Sequence, residues 1–443
     1  MATTYLTRTF GTPTSDKKFT LSLWLKRSNV TTDNSFFSTY TDVNNRADIR
    51  FNASEQLSFY EAIGGVTQYY VVTDRLFRDC SAYYNIVIAF DTTQAVDTNR
   101  LKLYVNGVQE TSFSSTSFPA LNQSLRLTSA VAHSIGNDSN SAYYFDGLMT
   151  HVQLVDGLSL APTEFGEVDA TSGIWKIKTG CYATPGTNGF CLKMETTTGS
   201  AMGTDSSGEG NNFTENGSPT QAIDTPSNVM ATWNAIDNYY PNYNFSDGNT
   251  TATHPTQTNY FAPVTATMGV STGKWYWENK FVSTTQASHK WIGVGVTATT
   301  ATASNVYFGT SDYDLCYYGL NDVYRNNAKI ADLSAWTVGD IIGVALDATN
   351  DLVYFYKNGV VENSGTGFSL ASVGSSPNGV YKPGVGVYDN AEYVCSTNFG
   401  NGFFGTTQVS SAGTSSTDDD SIWEYDCPTG YYGLNTKNIN TYG

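Results

Sequence analysis

Very little of this chain is basic: 23 Lys and Arg face 40 Asp and Glu, a formal net charge of −17 over 443 residues. A nucleic-acid groove needs a cationic lining, so nucleic acid is set aside as a partner. No run of ~18 consecutive apolar residues occurs, so no helix is expected to insert into a membrane. The opening MATTYLTRTF has neither a basic n-region nor an apolar h-region, and the expectation is a soluble protein not exported through a cleaved signal. The six cysteines form no CxxC pair, which argues against zinc. Cys181 and Cys191 could bridge if they flank a hairpin, but buried free thiols are the expected state for them, as for Cys80, Cys316, Cys395 and Cys427.

Catalytic patterns are also missing. His133, His151, His254 and His289 fall in no His-x-His or HExxH arrangement, and there is no Gly-x-Ser-x-Gly elbow, phosphate loop or Cys/His dyad at a recognisable spacing. Asp418, Asp419 and Asp420 stand in a Ser/Thr/Gly-rich context and read as a solvated turn. The expectation is a binding or structural protein without catalytic or metal-ligating residues.

What is abundant is 30 Tyr, 23 Phe, 8 Trp and 40 Gly, with much Thr, Ser and Asn. That composition favours pleated strands and tight turns, hence an all-β fold. Residues 340–360, DIIGVALDATNDLVYFYKNGV, show the grammar. A short apolar run suits a strand covered on both faces, a polar turn follows, and a β-branched, aromatic run ends at Asn358-Gly359, a dipeptide suited to the positive φ of a hairpin turn. Residues 85–108 repeat the design, ending at Asn106-Gly107, about 250 residues earlier. A solenoid has a period of roughly 20–50 residues, so two separate β domains are the simpler reading. In the first, Phe19, Leu21, Leu23 and Leu25 alternate on one strand face with Trp24 on the other. Further strands are expected at 36–40, 48–52, 56–61, 68–73, 84–90, 100–105, 134–136 and 145–156.

The phrases FTLSLWLKR, YYNIVIAFD, LKLYVNGV, Ser134-Ile135-Gly136-Asn137 and FDGLMTHVQLVDGLSL (145–160) resemble the laminin-G-like, concanavalin-A-like lectin and glucanase sandwich. A second set resembles the SPRY family: GKWYWENKF (273–281), WIGVGV (291–296), CYYG (316–319), VGDIIGV (338–344), 352–360, YKPGVG (381–386) and STNFG (396–400). Between them, 156–228 is similar to the linker joining these two domains in virion proteins of bacteriophages, many of them marine, and 418–439 is similar to the ending of the same proteins. The implied organisation is a leader at 1–18, a first antiparallel sandwich at 19–165, a Gly/Ser/Asn-rich connector with one docked strand at 166–258, and a SPRY-like sandwich at 259–443.

The resemblance implies a virion component, a tail fibre, head fibre or similar appendage, mediating attachment to a host-surface glycan or protein. Alternatives are a capsid decoration or adaptor protein that meets only other virion proteins, and a polysaccharide depolymerase. The last is disfavoured because no Glu-x-Asp-x-x-Glu spacing occurs. Partners would be other virion proteins and further copies of the chain, and with no heptad run such copies would assemble through the sandwiches or the leader. Some relatives of the first domain hold calcium in loops, for which Asp91, Asp138 and Asp146 are the candidates. SPRY domains meet partners through loops at one end, which here points to Tyr307, Tyr313, Tyr317, Tyr318, Tyr381, Tyr388 and Tyr393.

Overall fold

The computed structural model describes residues 3–195, 202–236, 243–254, 261–285, 290–296, 307–376, 379–388, 392–410, 413, 418 and 420–443. Alternation in the strand Lys18–Arg27 sends Phe19, Leu21, Leu23 and Leu25 into one apolar core together with Ile86, Ile88 and Phe90 of Tyr84–Asp91. These strands belong to a six-stranded antiparallel sheet in the order Phe190–Leu192, Gly147–Asp156, Lys18–Arg27, Tyr84–Asp91, Leu101–Val105, Val108–Glu110. Facing it is an eight-stranded sheet: Phe113–Ser117, Val66–Leu76, Gln56–Ile63, Asn45–Phe51, Asn34–Asp42, Ala132–Ile135, Tyr5–Thr9, Thr214–Asn216. From this second sheet Phe37, Ile49, Phe51, Leu57, Phe59, Tyr69 and Val71 complete the core.

The outer face of the six-stranded sheet is covered too. Val87 and Val155 pack there with Phe165, Leu160, Tyr104 and Tyr182, and the Trp175 indole N–H donates to Asn85 Oδ1 (2.9 Å). That is why Ile86-Val87-Ile88-Ala89-Phe90 is apolar without interruption: both faces are dry. Compact division of the chain falls between Gln221 and Ala222. The stretch that composition presents as a connector is therefore shared out, with 166–221 in the first unit and 222–258 in the second. Amide and carboxylate side chains give the Gly/Ser/Asn-rich part its order. Asp205 accepts from the N–H groups of Cys191 (2.9 Å), Ser207 (2.9 Å) and Asn211 (2.8 Å), while Asn211 Nδ2 donates to the carbonyl of Gly189 (2.7 Å).

Cys181 and Cys191 are bridged, with Cα atoms 5.8 Å apart, so the expectation of free thiols fails for this pair. Cys191 lies on the strand Phe190–Leu192, whose pairing with Gly147–Asp156 brings it back beside the start of its own loop. Cys80, Cys316, Cys395 and Cys427 are free and buried.

In the second unit the larger sheet runs Asn244–Ser246, Thr251–His254, Tyr393–Asn398, Lys274–Thr284, Ile341–Asp347, Leu352–Lys357, Val360–Val361. The smaller runs Phe261–Thr265, Tyr381–Tyr388, Lys290–Val296, Leu315–Tyr318, Asp322–Arg325, Ala328–Asp332. Ile342, Val344 and Leu346 enter the core between the sheets, while Ala345 on the opposite face meets Trp423, Cys427 and Tyr431. The Asn-Gly dipeptides of the two hairpins have positive φ at both residues, 48° and 79° at Asn106-Gly107, 47° and 80° at Asn358-Gly359.

The last residues close the unit. Glu278, fully buried, accepts from the N–H groups of Glu424 and Tyr425 (both 2.9 Å) and from Asn398 Nδ2 (3.2 Å). Asp418 is buried, not solvated as the sequence suggested: it accepts from the Gly433 N–H (2.6 Å) and Asn438 Nδ2 (3.2 Å). Asp420 pairs with Lys437 (2.7 Å), and Asp419 lies outside the described residues. Asn435 caps the helix Thr436–Tyr442. Antiparallel contacts join this segment to residues 229–231: Thr436 N–H to the Val229 carbonyl (2.9 Å), a bridge between Met230 and Asn435, and Ala231 N–H to the Leu434 carbonyl (2.8 Å).

Candidate functional site

The tyrosines expected on SPRY-end loops are dispersed. Tyr317, Tyr381 and Tyr393 are fully buried in the core of the second unit and present nothing to a partner. On Leu315–Tyr318, alternation turns Leu315 and Tyr317 inward, where the Tyr317 hydroxyl donates to the Ser334 carbonyl. The Tyr381 hydroxyl lies 2.6 Å from the Ala371 carbonyl and 2.8 Å from Asp351 Oδ1, an anchor between loops. Tyr318 faces the other way and stacks edge-on with Tyr307 (6.2 Å) and Tyr324 (5.4 Å) over Trp291, Phe308 and Cys316. Tyr313 is half-buried and donates to the Ser375 carbonyl (3.1 Å), and the Tyr388 side chain lies outside the described residues. His289 is likewise outside them.

The calcium candidates do not converge. Asp91 accepts from Thr93 N–H (3.1 Å), Thr93 Oγ1 (2.6 Å) and Gln94 Nε2 (2.7 Å) and pairs with Lys18 (3.3 Å). Asp138 Oδ1 accepts from the N–H groups of Asn140 and Ala142 (both 2.9 Å). Among the described residues no three His, Cys, Asp or Glu side chains group as a cation site.

A different place carries the geometry of a binding site. On Asn45–Phe51, Ala47, Ile49 and Phe51 point into the first core, so Arg46, Asp48 and Arg50 point to the opposite face of the eight-stranded sheet. Register puts Ser38, Asp48, Tyr60 and Tyr70 in one row across four strands, and Tyr40 opposite Arg46 in the next. Over them lies the loop 138–143. Ser38 Oγ donates to the Asn137 carbonyl (2.7 Å), and the Ser35 N–H donates to the Tyr143 carbonyl (2.7 Å). Tyr40, Arg46, Asp48, Arg50, Tyr60, Tyr70, Asp138 and Tyr143 are among the residues lining a pocket of about 330 Å³.

Its walls are aromatic and its floor is charged. Tyr60 and Tyr70 meet edge to face with centroids 6.2 Å apart, the Arg46 guanidinium sits 5.3 Å over Tyr60, and that of Arg50 sits 4.8 Å over Tyr143. Tyr143 has a φ of 49°, a left-handed backbone unusual for a bulky side chain, so the loop holds this ring in place at a cost in local strain. Asp48 accepts from Ser35 Oγ and pairs with Arg50 Nε at 3.3 Å; Arg50 also faces Asp33 at 3.8 Å. Burial pushes the Asp48 carboxyl up to about 6, with Arg50 and Ser35 drawing it back down. Sequence reasoning passed over this site, although its signal was present: charged residues at every second position of a strand whose other positions are apolar.

Residues 2–164 match the Laminin G 3 family, described as the concanavalin A-like lectin/glucanases superfamily, and residues 274–402 match the SPRY domain family. The chain carries a concanavalin A-like domain followed by a SPRY domain. Among solved structures, the SPRY domain of human HERC1 is 18% identical, covering 37% of this chain and 96% of its own length with a TM-score of 0.31. A human SPRY domain is 16% identical, covering 33% of this chain and 90% of its own length at a TM-score of 0.26. The TRIM65 PSpry domain is 13% identical, covering 38% of this chain and 88% of its own length at a TM-score of 0.28. No curated protein matches the sequence. The pocket belongs to the concanavalin A-like domain, whereas the tyrosines singled out from sequence belong to the SPRY domain, where three of them are core.

Proposed function

We propose that the protein is a non-enzymatic bacteriophage virion component, of the tail-fibre or head-fibre type, that attaches to saccharide on a host surface through the concanavalin A-like domain. The observation carrying the adhesive role is the pocket in which Tyr60, Tyr70 and Tyr143 stand around Arg46, Asp48 and Arg50. Sugar rings present apolar C–H faces and polar edges, which suits aromatic walls beside fixed donors and acceptors. The virion assignment draws its support from the resemblance of 156–228 and 418–439 to phage proteins, together with the domain order. Binding without hydrolysis is favoured because both carboxylates lining the pocket are already committed, Asp48 to Ser35 and Arg50, Asp138 to its own loop. Copies assembled on one particle with other virion proteins would raise a weak site by ~10²–10⁴ through avidity.

The test is an array of bacterial surface polysaccharides probed with the full chain and with the double variant Tyr60→Ala/Tyr70→Ala. Binding to at least one saccharide class, lost in the variant at unchanged melting temperature, is the expected result. Absence of any saccharide binding would overturn the adhesive role, and capture by purified virion proteins alone would then make the chain a decoration or adaptor protein.

A further inference from the structure

We infer that the pocket selects an acidic saccharide, with the Arg46 guanidinium meeting the ligand's carboxylate; this rests on the saccharide-binding reading above. Charge pairing inside the pocket is uneven. Of its two arginines, Arg50 is matched by Asp48 and Asp33, at 3.3 and 3.8 Å. Arg46 forms no ion pair among the described residues, while the Nε atoms of both arginines are buried without a hydrogen-bond partner. A guanidinium whose charge no carboxylate of the chain matches is available to an anion from outside it.

Arg46 is also pre-set for that task. Its guanidinium lies over the Tyr60 ring, and its strand position faces Tyr40 across the ladder. A stacked guanidinium keeps an edge of N–H groups free for a carboxylate, which it grips with two parallel bonds that a lysine cannot reproduce. Tyr60 and Tyr70 stand beside it to take the ring that bears the acid. The carboxylate of Asp48, tied to Ser35 and Arg50, disfavours an anion on its own side, so the ligand's acid group is directed to the Arg46 end and its neutral edge to Asp48. With a formal net charge of −17, the chain as a whole does not draw anions from a distance. Selectivity for one must arise at short range, in this pocket.

The experiment uses the full chain on an array that pairs uronate-, sialate- and pyruvate-ketal-bearing polysaccharides with their carboxyl-reduced counterparts. Wild type is compared with Arg46→Met, which keeps the aliphatic packing over Tyr60, and with Arg46→Lys, which keeps the charge but not the fork. The expected result is that an acidic form binds about tenfold or more tightly than its reduced partner, as loss of one charge-assisted bond implies. Arg46→Met should abolish that difference, and Arg46→Lys should restore only part of it. Equal binding of both forms, or a preference that survives Arg46→Met, overturns the acidic class while leaving the saccharide-binding reading in place. No binding to any member of the array overturns both.

Discussion

Glu278 shows how one side chain can set a domain's response to pH. Burial pushes its carboxyl up to about 7, against the pull of the Glu424 and Tyr425 N–H groups. Because the folded value lies above the unfolded 4.5, the stability it contributes is complete below pH 4.5 and is lost as pH rises through 7, on the order of 3 kcal/mol for a shift of that size. The SPRY domain should therefore melt at a higher temperature at pH 5 than at pH 8 in calorimetry, and Glu278→Gln should flatten that slope. An unchanged slope in the variant would refute the assignment. In the concanavalin A-like domain the same trend from Asp48 (about 6) and Glu61 (about 7) is opposed by His133, which burial holds down at about 4. Its slope should be shallower between pH 4 and 6.5. At Gly107 an added Cβ would lie 2.5 Å from the Trp175 ring at a φ of 79°. Gly107→Ala is expected to cost about 1–3 kcal/mol in urea unfolding of the first domain.

Among the elements, strands were the most legible part of this molecule because their side-chain period is two and their turns are chemically marked. The strand carrying Phe19 to Leu25, the paired Asn-Gly hairpins and the doubly covered Ile341–Asp347 could all be read from residues alone. Residues 166–221 could not. In 166–195 and 202–221 the order comes from Asp156, Asn188, Asp205 and Asn211 hydrogen-bonding to backbone 14 to 177 positions away, and a polar, Gly-rich composition looks the same whether those partners exist or not. The pocket escaped for a related reason: register between strands, invisible in one sequence, is what places Asp48, Tyr60 and Tyr70 side by side. The Cys181–Cys191 bridge belongs to the same covering segment. Cys181→Ser/Cys191→Ser, or reductant, should lower the stability of the first domain by about 2–4 kcal/mol. Amide exchange should quicken at Phe190–Leu192 while the SPRY domain is unaffected.

For the whole chain, the family matches and the compact units do not share boundaries. The match to the first family ends at 164, yet the first unit extends to Gln221. A fragment ending at residue 165 would take Tyr182 from the cover over Val87 and Val155 and lose the edge strands Phe190–Leu192 and Thr214–Asn216 from the two sheets. We expect residues 1–221 to give a cooperative melt and dispersed amide spectrum, and residues 1–165 to aggregate. Equal behaviour of the two fragments would show that the covering segment is dispensable.

The contacts between residues 229–231 and 434–436 also have a mechanical meaning. Their antiparallel order places Val229 and Thr436, near the two ends of the second unit, at the same end of a short ladder. Tension carried through the domain along the backbone would open that ladder one bond at a time, as a zipper opens, before loading the sheets in shear. Such a seam yields at low force and lengthens the chain, leaving the pocket of the concanavalin A-like domain undeformed.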